Sequence, residues 1–473
     1  MQRSIIAAAV IALSAVGHAA RAQSPPTTPE PDAFVNQQRA AQERLREEFD
    51  RQMDQAGKVA FDWGGWYTLH FFLLDDGVES SRTMRRHDLR LWGRLTLEDG
   101  AHELYLRGRT SLVDFNTGDS YNGRDDDVEG PNLERALYRF DLRKALHAYG
   151  GRGIVDNLQV LAGRDLVQFG TGLTLSTPLD QVSLRGTLRT WTVTALAGKT
   201  VGSTQDFDQS TAADRTRRSF LGGELRYRGL ERHEPFAYAL WQEDHNSPSA
   251  RPAWQPFGYE SRYFGGGAEG ELIDNVRYAV EGVVELGRGY NDWRWGGRND
   301  IHAWACNAEL EYLSPGPQRA RASVAYLFGS GDGDRVASST NTIAGNLLDF
   351  EDTGFIAFGY KDTGLAFAPR YTNLHAWRMG GSFYPWPANP AFRRLELGSD
   401  WYLFSKHHAA AAVSDATADR ASDYLGWEMD YFANWKVTTD LAWTVRFGTF
   451  FPGDAFSDRT PRTFLLVGMT WSF

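Results

Sequence analysis

The sequence is almost devoid of cysteine, with Cys306 the single one in 473 residues. One thiol cannot form an intramolecular disulfide, and it excludes both a cystine-stapled scaffold and a cysteine-based zinc site. Long apolar runs are equally scarce. Beyond residue 20 no stretch reaches the roughly 20 apolar residues that a membrane-spanning helix needs. Positive charge is in deficit: 50 Lys and Arg face 60 Asp and Glu, a net charge of −10 that argues against a nucleic-acid partner. The Gly265-Gly266-Gly267 run lies in a strand rhythm with no helix after it, so it is no phosphate loop. His70, His87, His102 and His375 have no Ser-centred nucleophile motif to serve. The acidic runs Asp125-Asp126-Asp127 and Asp332-Gly333-Asp334 lack the ligand spacing of a calcium loop. No catalytic residue, metal or cofactor is therefore expected.

Glycine and aromatics are plentiful: 48 Gly, 28 Phe, 19 Tyr and 16 Trp. The mean hydropathy is nevertheless −0.45. Alternating strands give this combination, because apolar and polar residues cancel within each segment. No shift in composition divides the chain into two soluble domains.

The N-terminus has the order of parts of an export signal. Arg3 supplies the positive region, Ile5 to Val16 the apolar core, and Ala20-Arg21-Ala22 a small-x-small cleavage site. Residues 1–22 are read as a signal peptide. Residues 23–57 hold a Pro- and Thr-rich linker followed by a short amphipathic periplasmic helix. In that helix Ala41, Leu45, Phe49 and Met53 recur every four residues over 33–56. Residues 58–473 remain for the main domain.

From Val59 the period switches to two. In one strand Leu89, Leu91, Leu95 and Leu97 share a face, and Arg86, Asp88, Arg90, Trp92 and Arg94 share the other. Val276, Tyr278, Val280, Val284 and Leu286 oppose Arg277, Glu281 and Glu285 in the same way. The last strand places Thr463, Leu465, Val467, Met469, Trp471 and Phe473 on one face, ending in an aromatic residue. Eighteen candidate strands can be marked: 59–72, 85–97, 103–114, 133–144, 157–168, 178–185, 189–199, 219–228, 235–243, 260–271, 275–287, 301–312, 319–329, 372–386, 393–405, 423–435, 439–450 and 462–473. Connections alternate between long and short, with 330–371 the longest. An all-β, 18-stranded antiparallel transmembrane barrel in the bacterial outer membrane satisfies all of this, with both termini periplasmic and lipid around the wall.

Projected inward, the alternation groups Arg86, Arg90, Arg94, Arg107, Arg109, Arg135, Arg139 and Arg143 on three consecutive strands, opposed there by Asp88 and Asp141. Arg446 adds to the lumen from a distant strand. An opposite wall carries Glu281, Glu285, Glu309, Glu311, Glu396, Asp400, Glu428 and Asp430. A basic patch in a narrow pore concentrates anions, and guanidinium groups pair bidentately with carboxylates. The competing reading is that the two sets pair and only hold the barrel rigid. The phase at Arg164 stays open: Leu158, Val160 and Ala162 place it toward lipid unless a bulge resets the alternation, and otherwise Asp165 is the inward residue.

Gly163-Arg164-Asp165, Tyr326 to Asp332, Pro369 to His375, Leu425 to Asp430 and Phe447 to Phe456 occur in the order of motifs found in alginate-export porins. Over residues 59–473 the chain resembles that family, with Asp165 standing where the family's segment has Gln. The resemblance implies an 18-stranded monomeric barrel that passes an anionic polyuronate outward, together with periplasmic export components. Three functions then compete. The first is export of an acidic exopolysaccharide past Arg90, Arg94, Arg107, Arg109, Arg135 and Arg139, with 330–371 as an extracellular lid. The second is uptake of small acidic solutes or oligosaccharides through the same wall. The third, a barrel enzyme, lacks its nucleophile.

Overall fold

The computed structural model describes residues 59–473 except 78–80, 121–124, 151–155, 203, 205–215, 247–257, 291–297, 336–338 and 340–350. The leader at 1–22 and the helix expected over 33–56 lie outside the described residues.

The described chain is a closed antiparallel barrel. Its strands are β1 (Val59–Asp75), β2 (Arg82–Leu97), β3 (His102–Phe115), β4 (Asp127–Asp141), β5 (Asn157–Phe169), β6 (Leu175–Leu188), β7 (Trp191–Thr200), β8 (Arg218–Tyr227), β9 (His233–Asp244), β10 (Glu260–Ile273), β11 (Val276–Tyr290), β12 (Arg298–Leu313), β13 (Arg321–Gly329), β15 (Leu374–Phe383), β16 (Leu395–Lys406), β17 (Tyr424–Lys436), β18 (Leu441–Pro452) and β19 (Arg462–Ser472). The two-residue β14 (Glu351–Asp352) is no part of the wall; it adds in parallel to the start of β12. Eighteen strands thus form the wall, as the alternation predicts. Closure is made by β1, which pairs with β2 and with β19 from Trp66↔Ser472 to Asp75↔Thr463. The terminal Phe473 continues the seam, its N–H and carbonyl both bonded to Gly65 at 3.0 Å.

Burial is inverted relative to a soluble sheet. On β2, Leu91 is 51 % exposed while its neighbour Arg90 is 2 % exposed. Apolar side chains line the outside on strand after strand, and charged ones point in, as lipid outside and water inside require. Trp63, Trp191, Trp443 and Trp471 stand outward near the short-turn rim. Trp241, Trp304 and Trp401 stand outward in the half near the long loops. Short turns use residues that tolerate the left-handed region: Asn275 takes φ 68° between β10 and β11.

One expected strand ends early. Asp141, the last residue of the strand, caps a helix, α1 (Leu142–Ala148), and its carboxylate accepts the Lys144 N–H at 3.1 Å. An N-cap aspartate ahead of Leu-Arg-Lys-Ala-Leu stops the strand where period two alone would continue it to residue 144.

The lumen is not empty. The connection 170–174 between β5 and β6 and the segment 353–373 before β15 fold inward and pair with each other. Phe358 N–H reaches Thr174 O at 2.9 Å, and Tyr360 N–H reaches Gly172 O at 3.1 Å. Phe355, Ile356 and Phe367 pack on wall residues such as Tyr263 and Phe404 in one apolar cluster. Leu365 reaches across to Phe72, Met84 and Phe464. The segment expected to be an extracellular lid is therefore in part an internal plug.

Candidate functional site

The arginines of β2–β4 come together on the lumen face. Register sets Arg90 beside Arg109 and Arg107 beside Arg135. They are not bare. Arg90 and Arg107 bond Glu134 at 3.1 and 2.8 Å, and Arg109 approaches it at 4.0 Å. Asp88, fully buried, binds Arg86 and Arg90 at 3.2 Å each. Arg94 pairs with Asp62, Arg109 with Glu129, Arg135 with Asp165 and Arg139 with Glu103. The alternation counts Glu134 on the opposite face from Arg135. It turns inward because the β3–β4 register shifts between Arg107 and Gly108, which makes it the extra residue of a bulge. The basic wall is thus an ion-paired lattice in which three guanidiniums share one carboxylate.

Aromatic rings are interleaved with this lattice. The guanidiniums of Arg90 and Arg107 lie over Trp66 at 5.9 and 5.5 Å, and that of Arg135 lies over Tyr105 at 5.1 Å. Trp92 stacks on Tyr105 with ring centroids 6.1 Å apart. Trp66, Tyr105 and Glu134 were missed from sequence; Trp66 and Tyr105 could have been found by extending the inward parity of Arg90 and Arg107 to β1 and along β3. The phase at Arg164 is settled: Arg164 points outward to Asp180 at 2.7 Å, and Asp165 points inward to Arg135. No bulge is needed there to reset the alternation.

The acid wall differs from the expectation of an open, field-bearing surface. Glu428 accepts backbone N–H groups of Leu365, Ala366 and Phe367 at 2.6, 2.6 and 2.8 Å. Glu281 accepts the Thr171 N–H at 2.6 Å and the Tyr238 hydroxyl. Glu285 accepts the Ile356 N–H at 2.9 Å and the Tyr259 hydroxyl at 2.6 Å. These three carboxylates are buried beneath the inward segments. A chain folded into a barrel has no ladder for its N–H groups, and wall carboxylates supply the missing acceptors. Gly364, at φ 101°, lets the chain arch over Glu428: a Cβ there would lie 2.7 Å from its Oε1. Each hydrogen bond to a charged group contributes roughly 1.5–3 kcal/mol.

The remaining predicted residues scatter. Glu309 binds Lys361 of the plug at 3.2 Å, and Arg378, unforeseen, reaches Asp362 at 3.4 Å. Glu311 pairs with Arg321 on β13. Asp430 is buried beside Glu428, and Asp400 sits opposite Gly380. Glu396 takes a bond from Asn434, which also accepts from Arg446 at 3.2 Å. Arg446, stacked on Phe432, therefore belongs to the acid side and not to the arginine lattice. Arg143 is corrected outright: it lies exposed in the first turn of α1, because Asp141 has ended the strand.

In the loop after β13, Asp332 is buried and accepts the Thr353 N–H at 3.0 Å. Burial, then Asp334 and Asp352 beside it, push its carboxyl up from 3.8 to about 7. A raised folded-state value stabilises fully below the unfolded value and is lost as pH rises through about 7. Asp332→Asn is expected to raise the melting temperature of the detergent-solubilised protein at pH 8 and leave it unchanged at pH 4. A gain of equal size at both pH values would refute the assignment.

The family model for alginate export matches residues 182–468, more than half of the chain. The chain belongs to the alginate export family. The matched region carries the acid wall and the plug segment 353–373, while the arginine lattice of β2–β4 precedes it. No curated protein sequence matches the chain significantly. Solved outer-membrane porins of Pseudomonas aeruginosa share the fold. OccK11 (OpdR) is 14 % identical with a TM-score of 0.51, covering 87 % of this chain and 96 % of its own. OccK8 (OprE) is 10 % identical at 0.52, covering 87 % and 98 %. OpdK, solved with vanillate, is 11 % identical at 0.52, covering 87 % and 98 %. This member of the alginate export family is thus an outer-membrane channel of porin-like build.

Proposed function

We propose that this channel passes an anionic, uronic-acid polymer outward across the outer membrane along the β1–β4 lattice. The observation that carries the reading is the convergence of Arg90, Arg107 and Arg109 on the single Glu134 beside Trp66. An incoming sugar carboxylate can replace Glu134 first on Arg109, the least buried of the three guanidiniums, and the indole offers a face for the sugar ring. Exchange among many weak, ready-made pairs favours passage over trapping. In this reading the short-turn rim and the termini face the periplasm and the long loops face outward. The barrel acts as a monomer in contact with outer-membrane lipid, and periplasmic export components deliver the polymer.

A second reading, uptake of small acidic solutes, is favoured by the plug, which narrows the lumen, and by the fold shared with a porin solved with vanillate. Single-channel recording in planar bilayers separates the two. The export reading expects anion selectivity and block by polyuronate added at the short-turn side. Arg107→Gln with Arg109→Gln is expected to weaken that block about tenfold. Block by monomeric uronate alone would favour uptake, and cation selectivity without response to either would sink both.

A further inference from the structure

The outer wall is interrupted by charge beside the join of β4 and β5. Their ladder runs only from Asp141↔Gln159 to Ala136↔Arg164. Beyond it β5 stays paired with β6 as far as Phe169, and β4 with β3 as far as Asp127. The two strands therefore part in the long-loop half, and side chains hold the join. Inside, Arg135 binds Asp165 at 2.8 Å. Outside, Arg164 donates through Nη1 to the Leu133 carbonyl at 2.8 Å.

A groove of 580 Å³ opens on the outer face at this place. Ala136, Gly163, Ala197 and Gly198 line it, and residues this small leave the wall hollow. Its charged side chains are Arg164, Asp180 and Lys199, and the buried Gln181 also lines it. Asp180 takes both a 2.7 Å and a 3.1 Å bond from Arg164. Lys199 is the cross-strand neighbour of Asp180, exposed, and one residue from the long-loop end of β7. An Arg–Asp pair and a neighbouring ammonium thus stand on a surface that otherwise faces hydrocarbon. A lysine on a lipid face is costly at the bilayer midplane and tolerable only near the headgroups.

We propose that this groove is a docking site for the phosphate-bearing headgroup of an outer-leaflet glycolipid of the lipid A type, with an acyl chain lying along the small-residue floor. The long-loop half of a barrel meets the outer leaflet. Guanidinium and ammonium groups together are a phosphate site, with Arg giving the fork and Lys the point charge. Arg164 and Lys199 stand two strands apart, about 10 Å, a span suited to a broad headgroup with two phosphates. None of these three side chains faces the lumen, so the site is independent of the cargo.

The test titrates the full-length protein in detergent with bisphosphorylated lipid A, dephosphorylated lipid A and phosphatidylglycerol, counting bound lipid by native mass spectrometry. Lys199→Gln is the first variant, because Lys199 holds no backbone group of the join. It is expected to weaken retention of bisphosphorylated lipid A about tenfold and to leave single-channel conductance unchanged. Asp180→Asn is expected to strengthen retention by removing the competing anion. Equal binding by wild type and Lys199→Gln would overturn the proposal, as would equal binding of dephosphorylated lipid A. Phosphatidylglycerol binding as tightly as lipid A would assign the groove to phospholipid and overturn it as well.

Discussion

Replacing Glu428 by alanine is expected to widen the channel several-fold in conductance. The side chain is fully buried and accepts three backbone N–H groups from Leu365, Ala366 and Phe367. Alanine leaves those donors inside the barrel without an acceptor, at a cost of roughly 1–3 kcal/mol for each. The segment lowers that cost by moving out to water, because Glu428 is its central anchor on β17. Glu309, through Lys361, and Glu285, through Ile356, still tether the flanks. Single-channel recording should show larger and noisier openings. Trypsin should cleave at Lys361, which the intact protein keeps nearly buried against Glu309. Glu428→Gln keeps one acceptor oxygen and should fall between the two. Wild-type conductance together with wild-type protease resistance in Glu428→Ala would mean that apolar packing of Phe355 and Phe367 and the anchors at Glu285 and Glu309 hold the plug without Glu428.

Glu134→Gln is expected to give the largest change in selectivity. Glu134 neutralises part of the charge of Arg90, Arg107 and Arg109, and glutamine of the same shape removes that charge while Arg90 keeps Asp88 and Arg109 keeps Glu129. The reversal potential under a salt gradient should move toward the anion limit. The concentration of polyuronate that half-blocks the channel should fall about tenfold, the worth of one charge-assisted contact. The effect should shrink in high salt, since the lattice is partly open to lumen water and is screened. An unchanged reversal potential would mean that ions pass elsewhere, along the Arg378 and Asp362 side of the lumen.

The two substitutions separate two roles that look alike in the sequence. Both glutamates lie in strands beside charged neighbours, yet one holds backbone and the other holds guanidinium. Period two alone cannot tell them apart, because it reports which face a side chain takes and nothing of what will meet it there. Glu281, Glu285 and Glu428 read as a charged wall because each is inward by parity. Their N–H partners lie 61 to 110 residues away along the chain.

The sequence by itself determined the barrel. Strand number, closure through an aromatic-ended last strand, the outward aromatic residues and the lumen position of Arg86, Arg90, Arg94, Arg107, Arg109, Arg135 and Arg139 all follow from alternation and turn chemistry, which are local properties. Only the tertiary structure decided the pairing of charges and the filling of the lumen. Glu134 joins the lattice through a bulge that displaces one residue against its neighbouring strand, and Arg143 leaves it because Asp141 caps a helix. The plug enters because segments distant in sequence find wall carboxylates that satisfy their backbone. Faces are set by bonds between adjacent residues, whereas partners are set by which strands and loops closure of the barrel brings within hydrogen-bonding distance.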